Sequence, residues 1–319
     1  MSNIRWATIA SSLSCLGIGS FLGKIYGTRC HDSCASCNGP LHYFSLPVAE
    51  AKVNTELQVP VTPIRQEISA KGDAPAGNNS RVSQIMRFGF PGLDNVRTLK
   101  DYVISYDRRN RTANWVFEHL TPENVAYNEY VDRKHCEFVE DESFHPYHRA
   151  RNEDYKGSGY DRGHLAAAAN HRSSLQAMGE TFLLSNISPQ VGKGFNRDAW
   201  NKLENYVRKL TKNHPNVYVC TGPLYLPRKE PDGKTYVKYE VIGKNNVAVP
   251  THFFKVIVME NEKGDFHLQS FVMPNQALPD NINLFNFQVP VDSIERAAGL
   301  LMFERLPRNR LKYINGKKI

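Results

Sequence analysis

The sequence predicts an α+β fold in which a largely antiparallel central sheet is flanked by helices. Two strand pairs and one amphipathic run carry that expectation. DYVISYD (101–107) and ANWVFEHL (113–120) are short runs rich in aromatic and β-branched residues. The basic, turn-like RRNRT joins them, so they read as a hairpin. HFFKVIVME (252–260) and FHLQSFVMP (266–274) flank NEKGD and read as a second hairpin. In DAWNKLENYVRKLTK (198–212), Trp200, Leu203, Tyr206, Val207 and Leu210 recur at near-helical spacing, which leaves one apolar stripe for a core.

The remaining elements follow the same logic. NVYVCTGPLYL (216–226) reads as a buried strand that ends at Gly222-Pro223. VDSIERAAGL (291–300) reads as a helix, with Asp292 three residues before Glu295 at its start. Trp115, Trp200, Phe253 and Phe254 fall in core-like patterns. No internal repeat is present.

Composition sets the class. The chain has 319 residues, 41% hydrophobic and 23% charged, which is ordinary for a globular protein with a real core. Lys and Arg number 40 against 32 Asp and Glu, a net charge of +8. That balance suits a polyanion such as nucleic acid, or an anionic membrane face. Four of the six cysteines lie in the first 40 residues, so the later chain has no disulfide framework. CHDSCASC (30–37) holds His31, Cys30, Cys34 and Cys37. Zinc is conceivable there, but a short cluster without a second half reads better as an unstructured segment.

The chain divides into three parts. Residues 1–38 are basic, contain serines and have no acid before Asp32, the composition of a mitochondrial targeting segment. Positions 6–23 carry no charge, so the same stretch is a candidate inner-membrane anchor, although its serines and Gly17 dilute its apolarity. A secretory signal is the alternative, which the sparse later cysteines disfavour. Residues 39–80 have scattered prolines and no sustained period, as a disordered linker does. Residues 81–319 form the folded domain.

The chemistry concentrates in GYDRGHLAAAANH (159–171). His164 can exchange a proton near neutral pH and act as a general base. Gly163 lets the backbone bend and leaves room for a bulky substrate. Arg162 suits a phosphate through two charge-assisted hydrogen bonds. Asp161 can pin the arginine or the loop. The bland alternative is a charged turn before a small-residue helix. TFLLSNISPQVGKGFNRDAWNKLENY (181–206) adds Asn186, Gln190, Asn196 and Glu204, an oxygen-rich set of the kind Mg²⁺ accepts. Asn196 would equally serve as a helix cap, and Glu204 as a solvated helix residue. His171 reads as a satisfied structural histidine.

YDRGHLAAAANH, LSNISPQ, FNRDAWNKLE, VCTGPLY and PTHFFKVI, in that order, resemble the DNA/RNA non-specific endonuclease family, and its mitochondrial members most. The likeness runs from about Ile85 to the C-terminus. It implies a ββα-metal (His-Me finger) nuclease fold. His164 would be the general base, Asn196 the direct ligand of one Mg²⁺ (or Mn²⁺), and Glu204 a holder of metal-bound water. Arg162 would contact phosphate, with Asp161 and Asn186 supporting the site. A second phosphate-binding arginine is expected upstream, with Arg133 and Arg149 as candidates and Arg133 preferred. The resemblance further implies metal-dependent cleavage of DNA and RNA to 5′-phosphate products, a homodimer, mitochondrial storage, and degradation of nuclear DNA after release in apoptosis. A different class of reading is a catalytically inactive, membrane-tethered nucleic-acid-binding protein of mitochondria. His164, Asn196 and Glu204 all carry the expected chemistry, which disfavours it. No base-reading motif is present, so affinity would come from phosphate contacts.

Overall fold

A computed structural model describes residues 80–319. The targeting and linker segments and the Cys30/Cys34/Cys37 cluster lie outside the described residues. Order begins with a short helix, α1 (Arg81–Ile85), which the Ser80 hydroxyl caps by accepting from the Ser83 amide. Among the described residues no helix is long and apolar enough to cross a membrane.

One eight-stranded sheet forms the frame. Its strands are β1 (Val96–Thr98), β2 (Tyr102–Asp107), β3 (Thr112–Leu120), β6 (Asn216–Leu224), β7 (His252–Glu260), β8 (Phe266–Pro274), β9 (Leu311–Ile314) and β10 (Lys317–Lys318), in that spatial order. Every neighbouring pair is antiparallel except β8 with β9. Both predicted hairpins are present, β2–β3 and β7–β8. β6 runs through Gly222-Pro223 to Leu224 instead of ending there. A Cβ on Gly222 would lie 2.5 Å from the Asn114 carbonyl oxygen, so close strand contact requires the glycine.

The central strands are buried on both faces because each face is covered. Alternate side chains point opposite ways along a strand. Ile104, Val116, Val219, Phe253 and Ile257 pack on one side with Phe195, Trp200, Leu203 and Val207. Val103, Trp115, Phe117, Cys220 and Phe254 pack on the other with Ile85, Phe88, Ile294 and Phe303. The two free cysteines of the described region are the half-buried Cys136 and the buried Cys220.

Two helices flank the sheet. α2 (Asn201–Leu210) supplies the amphipathic stripe read from the sequence, with Leu203 and Val207 inward. α3 (Val291–Ala298) starts after Pro290 and has no side-chain cap. Asp292 sits in its first turn, and Glu295 instead accepts from the Met302 amide at 2.8 Å. The expected capping box is therefore absent; proline at the cap position fixes the entry and Glu295 closes the exit.

A buried charged chain runs from the interior strand β3 to His171. His171 is fully buried, with Nδ1 3.2 Å from Asp101 and Nε2 3.0 Å from Glu118. Although burial opposes its charge, the hydrogen bonds it donates to these two carboxylates raise its pKa to about 9. It is a structural histidine. A raised histidine pKa means that its stabilisation is complete below the unfolded value of about 6.5. That stabilisation is lost as pH rises through about 9. His171→Gln should cost about 3 kcal/mol, chiefly by leaving the buried Glu118 without its cation, since Arg81 still pairs with Asp101. In chemical denaturation at stepped pH, wild type should weaken from about pH 6.5 upward, and the variant should lack that slope.

Candidate active site

The site is built on a second, small ribbon. β4 (Tyr160–His164) carries YDRGH and pairs antiparallel with β5 (Ile187–Val191), the SNISPQ strand. Asp161 lies opposite Gln190, and Gly163 opposite Ser188. An irregular π-type segment (Gly192–Trp200) then runs straight into α2, broken at Lys193 and at Gly194 with φ +84°. β4, the irregular segment and α2 thus share one cavity of about 790 Å³, with β5 backing β4. Its walls include Arg133, Phe138, Asp161, Arg162, His164, Arg172, Asn196, Arg197, Glu204 and Arg208.

Gly163 serves a different purpose from the one expected. It lies in extended backbone, and a Cβ there would stand 2.1 Å from Cδ of the buried Gln190. The space belongs to Gln190, not to substrate. Gly163→Ala should therefore cost about 1–3 kcal/mol by overpacking and lower activity by displacing His164. The Gln190 amide has no hydrogen-bond partner, so adding Gln190→Ala should recover part of the melting temperature.

His164 is 8% exposed and packs between Phe138 and Phe182, with ring centroids 5.4 and 4.8 Å away. Burial, then the charges of Arg133 and His171, lower its pKa to about 3. It is a neutral imidazole at physiological pH. Its Nε2 is buried without a partner, which leaves Nδ1 as the nitrogen open to the cavity.

Asp161 ties the ribbon to the irregular segment. It accepts from Asn196 Nδ2 at 3.0 Å and from Arg197 Nε and Nη2 at 2.8 and 2.6 Å. Those donors, led by Arg197, hold its carboxyl below the ordinary range. The pinned arginine is thus Arg197, not Arg162. With its amide nitrogen committed to Asp161, Asn196 turns an unengaged Oδ1 to the cavity. Asn196 caps no helix; it sits inside the irregular segment, where Asp198 accepts from the Gly194 amide.

Glu204 faces the cavity from α2, half-buried. Burial raises its pKa, and the charges of Lys255 and Arg208 oppose the rise. Arg162 donates to Asn152 at 2.6 Å and lies 4.5 Å over the Phe138 ring, at the mouth. Arg133 is exposed and 5.6 Å over Phe182, inside the same cavity. Arg149 is elsewhere, bound to the Phe144 and Glu142 carbonyls. Asn186 does not line the cavity. Fully buried, it accepts from the Ala166 amide and donates to the Ala166 and Thr181 carbonyls, so it holds the chain that leaves His164.

Sequence reasoning missed Arg172, Arg197 and Arg208. Arg197 sits next to Asn196 in FNRDAW, and Arg208 follows Glu204 by one helical turn, so adjacency and i, i+4 spacing were the available signals. Among the described residues no three His, Cys, Asp or Glu side chains form a metal cluster. The donors fit a hard ion that keeps most of its water: one directed amide oxygen and one nearby carboxylate.

A neutral buried histidine on a ββα unit, opposite a directed amide and ringed by arginines, defines a nuclease of the His-Me finger class. The profile of the DNA/RNA non-specific endonuclease family matches residues 81–309, and the chain belongs to that family. It is 48% identical over 302 residues to "Endonuclease G, mitochondrial" of Caenorhabditis elegans, covering 93% of this chain and 98% of that one. Identity to the Homo sapiens protein of the same name is 56% over 218 residues, 68% of this chain and 72% of that one. A solved structure described as "Crystal structure of the EndoG/EndoGI complex: Mechanism of EndoG inhibition" is 62% identical, with a TM-score of 0.75. The alignment covers 76% of this chain and 99% of that one.

Proposed function

We propose that this endonuclease is Mg²⁺-dependent, with Mn²⁺ as a substitute, and cuts single- and double-stranded DNA and RNA without base readout, leaving 5′-phosphate and 3′-hydroxyl ends. The observation that carries the reading is the neutral His164 sharing a cavity with the directed Asn196 oxygen.

Each residue has a task. Asn196 Oδ1 would hold the ion, with Asp161 fixing the amide's orientation and Glu204 accepting hydrogen bonds from the ion's waters. When bound, the ion supplies Lewis-acid stabilisation of charge on phosphate. His164 Nδ1 takes the proton of the attacking water as its oxygen bonds to phosphorus. The bond from phosphorus to the 3′-oxygen breaks, that oxygen takes a proton from solvent water to become the 3′-hydroxyl, and the 5′-phosphate is left. Burial keeps His164 unprotonated, so a ring nitrogen is free to accept the water's proton. Arg133 and Arg162 neutralise phosphate charge at the mouth. Asn186 keeps His164 in register by clamping the next two residues: its backbone carbonyl accepts from the Leu165 amide, and its side chain bonds both backbone groups of Ala166.

The homodimer follows from the family resemblance. Residence in mitochondria is supported by relatives named as mitochondrial and by the basic, acid-poor first 31 residues. Intermembrane-space or inner-membrane placement through residues 6–23, and action on nuclear DNA after release in apoptosis, complete the reading.

Plasmid nicking tests the chemistry. Wild type should nick in Mg²⁺ and stop in excess EDTA. His164→Ala should cut about 10²- to 10⁴-fold more slowly while binding DNA as wild type does. Cutting by His164→Ala at the wild-type rate would place the catalytic base elsewhere.

A further inference from the structure

A second groove of about 470 Å³ adjoins the active-site cavity and shares Tyr127, Asn128, Glu129 and Arg172 with it. Tyr127 and Tyr130 are 81% and 80% exposed, far more than tyrosine rings usually are in a folded domain. The backbone between them is fixed. Asn128 accepts from the Tyr130 amide and donates to the Arg172 carbonyl. The Arg172 amide in turn donates to the Asn124 carbonyl, and the adjoining Val131 is buried with Ala168, Met178 and Phe182. Two aromatic rings are therefore presented to solvent on a rigid mount beside a nuclease site.

Arg172 sets the chemistry of the groove. Its guanidinium lies 5.9 Å from the Tyr127 ring centroid and forms no salt bridge or side-chain hydrogen bond; its Nε is buried without a partner. A half-buried cation that forms no ion pair, lining both cavities, is a ready phosphate receptor. It is the single Lys or Arg of the second groove, whose lining also includes Glu123 and Glu129. One cation with two carboxylates makes a poor track for a duplex backbone. It suits one phosphate followed by a base.

We infer that this groove is a subsite for an unpaired nucleotide, whose base stacks on Tyr127 and Tyr130 while its phosphate sits on Arg172. The inference rests on the nuclease reading above. A paired base cannot offer its face to a side chain without leaving the duplex, whereas a single strand offers every base. The subsite therefore biases the enzyme toward single-stranded stretches next to the scissile bond.

Binding without cutting tests this. Fluorescence anisotropy in EDTA would compare a labelled oligothymidylate with a paired duplex of equal length, on the full chain. Tyr127→Ala/Tyr130→Ala should weaken oligothymidylate binding about tenfold, the effect of one lost stacked base, and should lower the single-strand to duplex affinity ratio. Tyr127→Phe/Tyr130→Phe should keep that ratio, because the rings remain. Arg172→Met should weaken both ligands and reduce the salt slope by about one. An unchanged ratio in the double alanine variant, with its melting temperature retained, would overturn the subsite. So would loss of self-association in sedimentation with unchanged oligonucleotide affinity, which would make the tyrosines a protein contact. Because nothing is cut in EDTA, these outcomes stand apart from failure of the nicking assay, which would remove the nuclease reading itself.

Discussion

The carboxylate of Asp161 is the constraint on which the site depends. It sits on β4, three residues before His164, and reaches the segment that carries Asn196 and Arg197. Without that bridge the histidine ribbon and the amide would belong to separate elements. The carboxylate also decides which end of the Asn196 amide faces the cavity, since it can accept only from nitrogen. Gly192 makes the approach feasible: a Cβ there would lie 2.9 Å from both Asp161 oxygens.

Around that bridge, the electrostatics separate a neutral histidine from a cationic rim. His164 loses its proton because it is buried between two phenylalanines and faces Arg133. A second buried histidine of the same stretch takes the opposite course. His171, seven residues on, stays charged because Asp101 and Glu118 bracket it. Two histidines of one short sequence run thus have pKa values pushed in opposite directions by their neighbours. The chain Glu118–Asn170–Arg208 links the structural pair to the cavity wall next to Glu204.

Much of the fold was legible because its signals are local. The two hairpins and the amphipathic α2 announce themselves through period and turn composition, and the strands fall where those patterns stand. DRGH and FNRDAW likewise mark their residues by type and order. Long-range convergence was not legible. No local pattern says that Gln190 fills the space beside Gly163, that Asp161 takes Arg197 instead of its neighbour Arg162, or that Asn186 spends all its polar atoms on backbone. The start of α2 was obscured for a related reason. A π-type segment broken at Lys193 and Gly194 satisfies no regular period, yet it is the element that delivers Asn196. Arg172 and Tyr127 were missed because a half-buried cation without a partner, and a ring in solvent, are defined only by what surrounds them.

The most direct test of this account is metal affinity in Asp161→Asn. Mn²⁺ binding followed by electron paramagnetic resonance reports the ion without requiring turnover. If Asp161 orients the Asn196 oxygen, the substitution should weaken Mn²⁺ about 10- to 100-fold, as loss of a group that positions a metal ligand does. Its circular dichroism should stay native, and Asn196→Ala should lose binding altogether. Wild-type Mn²⁺ affinity in Asp161→Asn would contradict the bridge, and wild-type affinity in Asn196→Ala would contradict the metal site.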